Sequence, residues 1–283
     1  MTAEELLSTV TYEATSPEHV PYNEVRQALK ERHIVRVRGL FSPPTLRSAM
    51  RGIASRFEAA HDRKHDPRDV EVPRTNFQKL QIGANSGVNS RRTLGRFLRI
   101  LYNPIFAPDV LGLRQEFIRL ARFRNGLYRL PQDYAVFGTD DGFWSCTRLH
   151  QYPRGGGFMV PHRDLYAQVV TDDAELGYYQ PLLVLSERGV DYDEGGAYID
   201  VGEERVEFEA SCQVGDVIVY DGSTVHGVAD IDPLQALDLQ NFGGRIAAFA
   251  SLFRHLSPGT NSYEEMARQS IRRFGVDEPP RQS

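Results

Sequence analysis

The chain has 283 residues, a formal net charge of −5 and 41% hydrophobic residues, which is enough apolar material for a sizeable core. It contains no run of roughly 18 apolar residues, which excludes a membrane-spanning helix, and it begins without the basic and apolar segments of a secretory leader. The two cysteines, Cys146 and Cys212, lie far apart in sequence, so we expect reduced thiols in a cytoplasmic protein, with one disulfide as the alternative.

The charge is unevenly distributed along the chain. Residues 24–130 contain 22 Lys and Arg but only 9 Asp and Glu. Residues 131–283 contain only 11 Lys and Arg but 25 Asp and Glu. The simplest interpretation is that the two parts attract each other and pack together. The alternative is a basic rim that binds an anionic small-molecule substrate, such as a carboxylate, a phosphate or a carrier-bound group. Nucleic acid is disfavoured as a partner, because the basic residues lack regular aromatic interleaving.

The first part of the chain is predicted to form helices around a short strand. Helical periodicity, a capping serine followed by prolines, and a polar stretch rich in Gly and Asn define its elements. These elements are a helix over residues 21–32, a strand over 33–37, a helix from Ser42 to about 60, a long loop over 61–90, and helices near 91–102 and 109–124. In the last helix, Val110, Leu113, Phe117, Leu120 and Ala121 recur at helical spacing, which indicates a buried face.

From about residue 134 the pattern changes to short runs of β-branched and aromatic residues separated by Gly, Asp and Pro. The predicted strands cover residues 134–137, 144–152, 165–170, 182–185, 197–201, 205–208, 216–220 and 245–253. Eight short strands favour a double-sheet jelly roll. We therefore predict a mainly β, cupin-like core over residues 131–258. It is preceded by an N-terminal elaboration over 1–130 and followed by a helix near 262–274 and a loose tail within 259–283, all in one integrated domain.

His162 and Asp164 form the first half of a candidate metal site. Residues i and i+2 of a strand project on the same face, so both side chains can point into a barrel mouth while Arg163 faces away. A histidine nitrogen and a carboxylate oxygen together suit Fe(II). By itself this spacing is close to its chance frequency, and the alternative is an exposed turn in which Asp164 pairs with an arginine.

His226 supplies the second half. The turn Gly215-Asp216 leads into a predicted strand, Asp221-Gly222 forms another turn, and His226 follows. A histidine at such a strand end can reach a ligand pair on a neighbouring strand, although it can also be an ordinary loop residue. Two histidines and one carboxylate form the facial triad that leaves positions open on non-haem Fe(II) for a co-substrate and O₂.

Further motifs surround these ligands in a fixed order. They are Tyr152-Pro153-Arg154-Gly155 before His162, Glu194-Gly195-Gly196 between the two ligand motifs, and a β-rich run that begins at Arg245. The ordered set, over residues 145–254, resembles the Fe(II)/2-oxoglutarate-dependent dioxygenase superfamily and its prolyl-hydroxylase-like branch. The resemblance implies a double-stranded β-helix core, Fe(II) as cofactor, and 2-oxoglutarate and O₂ as co-substrates.

The resemblance also implies a basic residue that binds the distal carboxylate of 2-oxoglutarate. We predict Arg245 for this role, with a hydrogen bond from the Tyr152 hydroxyl, because a guanidinium offers a planar fork that orients a carboxylate. Arg245 lies 19 positions after His226, farther than in many family members, so Arg254 is the alternative. Arg245 is preferred because it opens the predicted strand. The competing interpretations are a surface ion pair with Asp238 for Arg245 and core packing for Tyr152.

The predicted reaction is hydroxylation of an unactivated C–H bond in a small molecule, with release of succinate and CO₂. Desaturation, epoxidation and cyclisation belong to the same chemistry, whereas halogenation is disfavoured because related halogenases have a small residue in place of Asp164. Arg148, His150, Arg74 and Tyr166 are candidates to contact a polar substrate. The alternatives are a protein-modifying hydroxylase or oxygen sensor, a cupin-type iron dioxygenase that does not use 2-oxoglutarate, and a non-catalytic metal-binding jelly roll.

Overall fold

The structure is a computed structural model that describes residues 3–64, 76–82, 95–164 and 177–254. The α-helices in these ranges are α1 Ala3–Thr9, α2 Tyr22–Arg32, α3 Pro43–Arg56 and α4 Arg114–Leu127. The first strands are β1 Thr11–Glu13, β2 Ile34–Arg38, β3 Arg63–Lys64, β4 Phe77–Ile82, β5 Gly95–Tyr102 and β6 Thr139–Asp140. The later strands are β7 Phe143–Tyr152, β8 Gly157–His162, β9 Tyr179–Val184, β10 Gly196–Val201, β11 Glu204–Val206, β12 Val217–Asp221, β13 His226–Ile231 and β14 Arg245–Arg254.

The last eight strands form the predicted jelly roll. One four-stranded antiparallel sheet has the order β12-β9-β14-β7 and the other has the order β8-β13-β10-β11. The chain alternates between the two sheets, except at the β10–β11 hairpin, and a cavity between them is lined by residues from both. This topology confirms the mainly β, jelly-roll fold class.

The N-terminal part extends these sheets. β2 pairs antiparallel with β12, and β1 pairs parallel with β2. β5 pairs with both β7 and β8 and so joins the two sheets at one edge. Helix α4 packs against β9 and β14, and one continuous apolar cluster includes residues from the helices and from both sheets.

The helix predictions for residues 21–32 and from Ser42 are confirmed. Val25, Ala28 and Leu29 of α2 are buried, and the Ser42 side chain accepts a hydrogen bond from the Thr45 backbone N–H at the start of α3. Both cysteines are buried free thiols. No helix in the described part of the chain is long and apolar enough to cross a membrane.

Several predicted elements differ from the structure. The helix near 109–124 begins at Arg114, so Val110 precedes it and is 50% exposed, whereas Phe117, Leu120 and Ala121 are buried as expected. Residues 134–137 form turns instead of a strand, and Ala135 has φ of 54°, outside the β region. The predicted strand at 165–170, the helix near 262–274 and the loose tail lie outside the described residues.

The prediction of a loop over 61–90 and a helix over 91–102 is wrong. The first range contains β3 and β4, and the second contains β5. Each side of β5 is paired, with β4 and with β7, and Leu98, Ile100 and Leu101 are buried. A short apolar run has no clear periodicity, so the strand partners available in the fold decide its conformation.

Candidate metal centre

His162, Asp164 and His226 meet at one end of the jelly roll. His162 is the last residue of β8, His226 is the first residue of β13, and the two are paired directly in the antiparallel register. Their ring centroids are 4.3 Å apart. The Asp164 carboxylate approaches His162 Nε2 to 3.7 Å and His226 Nε2 to 3.4 Å. The three ligand atoms lie within 4.8 Å of one another, so the structure brings the three predicted ligands together.

Backbone carbonyls select the tautomer of both imidazoles. His162 Nδ1 lies 2.8 Å from the Val160 carbonyl oxygen, and His226 Nδ1 lies 2.9 Å from that of Thr224. Because a carbonyl oxygen only accepts, each Nδ1 carries the hydrogen in the neutral ring and each Nε2 keeps a lone pair for a metal. The donor set of two imidazole nitrogens and one carboxylate oxygen therefore fits Fe(II) with open coordination positions.

The turn between β12 and β13 holds Asp164 in place. The Asp164 backbone N–H donates to the Gly222 carbonyl at 2.7 Å, and the Gly222 N–H donates to the Tyr178 carbonyl at 2.7 Å. Arg163 is exposed and donates from Nη1 to the Ser223 carbonyl at 3.1 Å. The strand-spacing prediction that Arg163 faces away from the two ligands is confirmed.

The electrostatics of the triad favour an ionised Asp164. Burial raises the pKa of the Asp164 carboxyl, but the adjacent His226 and His162 outweigh it and hold that pKa below its ordinary value. Burial lowers the pKa of His162, which favours the neutral imidazole that can bind a metal. For His226, burial also lowers the pKa, but Asp164 outweighs burial and raises it.

A cavity of about 120 Å³ opens beside the triad. Its wall has apolar parts, including Leu182, Val228 and Phe249, and a basic part. The basic and polar residues of the wall include Arg148, His150, Tyr152, Gln180 and Arg245.

Arg245 and Tyr152 are paired across β14 and β7 and both line this cavity. Arg245 is 1% exposed and pairs with Glu209, so the alternative of a surface ion pair with Asp238 is wrong. Its guanidinium carbon lies 5.2 Å from the centre of the Tyr152 ring. Their proposed contact with 2-oxoglutarate stays a prediction.

The other predicted contact residues have different outcomes. Arg148 and His150 line the cavity, whereas Arg74, Tyr166 and the side chain of Arg254 lie outside the described part of the structure. Sequence reasoning missed Glu209, which follows the short strand β11 and is 5% exposed. No pattern marks this residue, because its partner is 36 positions away in sequence.

Comparisons with known proteins agree with this geometry at the level of the fold. No family model and no curated protein matches the chain. Among solved structures, the non-haem alpha-ketoglutarate-dependent epimerase SnoN from nogalamycin biosynthesis matches with a TM-score of 0.50 and 12% identity, over 85% of this chain and 90% of SnoN.

Two prolyl hydroxylases also match. The prolyl-4-hydroxylase of Pseudomonas putida has a TM-score of 0.46 and 14% identity over 81% of this chain and 98% of its own. The prolyl hydroxylase of Trichoplax adhaerens, solved with a hypoxia-inducible-factor peptide, has a TM-score of 0.48 and 13% identity over 82% of this chain and 89% of its own. The likeness to SnoN shows that this chain has a 2-oxoglutarate/Fe(II) oxygenase-like fold, as predicted from the sequence.

Proposed function

We propose that the protein is a non-haem Fe(II)- and 2-oxoglutarate-dependent oxygenase that hydroxylates a small molecule. The observation that carries the proposal is the arrangement of His162, Asp164 and His226. These ligands lie together at the mouth of a jelly-roll cavity, and both histidines have Nδ1 occupied by a backbone carbonyl. The oxygenase-like fold supports the same conclusion.

The overall reaction combines R–H, O₂ and 2-oxoglutarate to give R–OH, succinate and CO₂. Fe(II) held by the triad would supply the oxidising chemistry, driven by oxidative decarboxylation of the 2-oxo acid. His162, Asp164 and His226 all line the cavity, so a metal held by them would be accessible to reactants inside it. Asp164, with its lowered pKa, provides the one anionic ligand at neutral pH.

The remaining cavity residues would bind and shield the reactants. Leu182, Val228 and Phe249 provide an apolar wall that limits the access of water to the reacting atoms. Arg148 and Arg245 line the same cavity and provide guanidinium groups that suit a dicarboxylate. A carrier-bound or anionic small molecule fits the basic composition of residues 24–130.

The first test is an anaerobic titration of the protein with Fe(II) and then 2-oxoglutarate. We expect a visible charge-transfer band when both are present, and succinate and CO₂ in equal amounts after O₂ is admitted. His226→Ala should abolish both signals, and Arg163→Ala, whose side chain faces away, should keep them. Absence of the band and of succinate in wild-type protein that binds Fe(II) would overturn the proposal.

The product analysis has to cover more than one outcome at the substrate carbon. SnoN, which has the same fold, is an epimerase. Candidate substrates should therefore be examined by mass spectrometry for added oxygen or lost hydrogen and by chromatography for inverted stereochemistry. A gain of one oxygen atom from ¹⁸O₂ supports hydroxylation.

A further inference from the structure

A second and larger cavity lies outside the metal centre. Its volume is about 600 Å³, whereas the cavity beside the triad has about 120 Å³. This larger volume is within the range of roughly 300–1,000 Å³ that is typical of small-molecule sites. Residues from α3, from the segment after α3, and from β4 and β5 line it. Among the described residues, the two cavities share no lining residue, and the proposed oxygenase chemistry gives the second one no role.

Strand alternation places this cavity across the sheet from the triad. Arg148 and His150 of β7 line the cavity beside the triad, and Leu149 lies between them in sequence, so it points to the other face. Leu101 of β5 is paired with Leu149, and Gln78 of β4 is paired with Leu101. Both Leu101 and Gln78 line the second cavity. A ligand that contacts them is therefore on the opposite face of the sheet from the metal ligands.

The buried part of the lining is apolar. Ile53 of α3 is 4% exposed, and Leu101 and Leu111 are each 6% exposed. Phe77 and Tyr102, at the ends of β4 and β5, also line the cavity, and their rings are stacked with centroids 4.2 Å apart. These side chains provide apolar surface for a hydrocarbon chain or an aromatic ring.

The two carboxylates of the lining have different partners. Asp62 accepts hydrogen bonds from Nε and Nη2 of the buried Arg99 at 2.9 and 2.7 Å, so its charge is neutralised inside the protein. The Glu58 carboxylate lies 3.4 Å from Nε2 of His61, and both of these side chains are exposed. Glu58 is therefore the one lining carboxylate in the described part of the chain that has no arginine partner.

Two arginines of the lining, Arg56 and Arg63, are exposed at its rim. Among the described residues, neither forms an ion pair with a carboxylate. Several other arginines at the surface do form such pairs, namely Arg38, Arg47, Arg122, Arg188 and Arg205. Two uncompensated guanidinium groups against the single carboxylate of Glu58 give the rim an excess of positive charge. A guanidinium presents a planar fork that matches a carboxylate or a phosphate.

The position of this cavity agrees with the uneven charge of the chain. All of its described lining residues belong to residues 24–130, the part with 22 Lys and Arg against 9 Asp and Glu. The described lining of the triad cavity instead comes from residues 148–249. The basic part of the chain therefore has a cavity of its own, and its charge favours an anionic ligand.

We propose that the second cavity binds an amphipathic oxyanion, which is a small molecule with an apolar body and a carboxylate or phosphate head. The apolar body contacts Ile53, Leu101 and Leu111, and the head accepts hydrogen bonds from Arg56 and Arg63. The inference is independent of the proposed function, because no residue of the triad cavity takes part in it.

Calorimetric titration of the full chain tests the chemical class of the ligand. The probes are decanoate, decyl phosphate and decyltrimethylammonium, which share one alkyl chain and differ in the head group, each below its micelle-forming concentration. We expect both anions to bind at least about tenfold more tightly than the cation. A difference between the two anions shows which head group the arginines prefer. Binding of the cation as tightly as the anions, or no binding of either anion, would overturn the proposal.

Substitution of the two arginines tests the position of the head group. Arg56→Gln/Arg63→Gln is expected to weaken the binding of both anions roughly tenfold and to leave the cation no weaker than in the wild type. The matched control is Arg32→Gln/Arg51→Gln, which removes the same charge at two exposed arginines outside the lining. Equal losses in the two double variants would assign the effect to the overall charge and contradict the proposed site.

A larger side chain at Val110 tests the position of the apolar body. Val110 lines the cavity and is 50% exposed, so an indole ring at this position can occupy part of the space without entering the core. Val110→Trp is expected to weaken the binding of both anions about tenfold, whereas Val190→Trp, at a 67% exposed residue outside the lining, should not. Thermal unfolding of both variants identifies any loss that results from misfolding. Wild-type affinity for the anions in Val110→Trp would show that they do not bind in this cavity.

Discussion

The guanidinium of Arg245 and the carboxylate of Glu209 form an ion pair that is almost completely buried, with side-chain exposures of 2% and 5%. Glu209 also accepts hydrogen bonds from the Tyr192 hydroxyl at 3.1 Å and from the Ala197 N–H at 2.8 Å. Burial lowers the pKa of Arg245, but Glu209 outweighs this effect and raises it above its ordinary value. The pair thus connects β14 with the segment that follows β11 and with the start of β10.

Removal of one partner of this pair should be strongly destabilising. Arg245→Met leaves the Glu209 carboxylate buried without its cation, and we expect the free energy of unfolding to fall by about 3–5 kcal/mol. Arg245→Met/Glu209→Gln should recover most of the loss, because Gln keeps an acceptor for Tyr192 and Ala197. Urea unfolding at pH 7 gives the free energy of unfolding of the wild type, of Arg245→Met and of the double variant.

The control for this experiment is a partly exposed pair. Arg47 pairs with Glu187 and Asp191, and its side chain is 27% exposed. Arg47→Met should lower the free energy of unfolding by only about 0–1 kcal/mol. Similar small losses in Arg47→Met and Arg245→Met would show that the buried pair does not hold the two segments together.

Loss of a triad ligand should remove metal binding without unfolding the protein. His226→Ala leaves two donors, and we expect the affinity for Fe(II), or for Mn(II) as an air-stable substitute, to fall at least about 100-fold. Competition with a metal-sensitive dye gives the dissociation constants. Arg163 lies between His162 and Asp164 in sequence, but its side chain faces outward. The Arg163→Ala variant should therefore bind the metal like the wild type. Equal loss in both variants would mean that local disruption, not ligand removal, is responsible.

Gly222 should be required for metal binding, because the absence of a side chain at this position leaves space for Asp164. A Cβ atom at residue 222 would lie 2.9 Å from the Asp164 Cβ and would also collide with the Tyr178 ring. Gly222→Ala is therefore expected to displace Asp164 and to weaken metal binding about tenfold or more. Gly138→Ala, where a Cβ meets nothing within 4 Å, is the control. Wild-type metal affinity in Gly222→Ala would show that the turn adapts to the extra atom.

The candidate triad could be predicted because much of its signal lies in short sequence motifs. The i, i+2 spacing of His162 and Asp164 is readable from the sequence. In the structure, β8 ends at His162, and the hydrogen bond from the Asp164 N–H to the Gly222 carbonyl places Asp164 beside it. His226 follows a turn after a predicted strand, and the antiparallel register then pairs it with His162.

Features that depend on distant partners could not be predicted. β5 is a strand because β4 and β7 provide hydrogen-bond partners on both sides, and neither pairing is encoded within residues 95–102. The partner of Arg245 is likewise fixed by the position of the segment after β11, which sequence spacing does not reveal. The compensation of charges in the cavity is therefore visible only in the folded protein.

His150 should make stability sensitive to mild acid. Burial and the nearby Arg148 hold the His150 pKa well below the ordinary value of about 6.5 that applies in the unfolded chain. The neutral ring therefore contributes stability that is fully present above pH ~6.5. This stability is lost as the pH falls, because the unfolded chain takes up the proton first. The loss can reach about 1.4 kcal/mol per pH unit from this one group.

His150→Gln isolates this effect from the other titrating groups. Gln keeps an acceptor for Arg148 Nε but does not titrate, so the variant should lose less stability than the wild type between pH 7.5 and pH 5. The free energy of unfolding of metal-free protein is measured in urea at each pH. Because the triad is the same in the wild type and in His150→Gln, its contribution cancels when the two free energies are subtracted. Parallel profiles for wild type and His150→Gln would show that His150 is not held neutral by its surroundings.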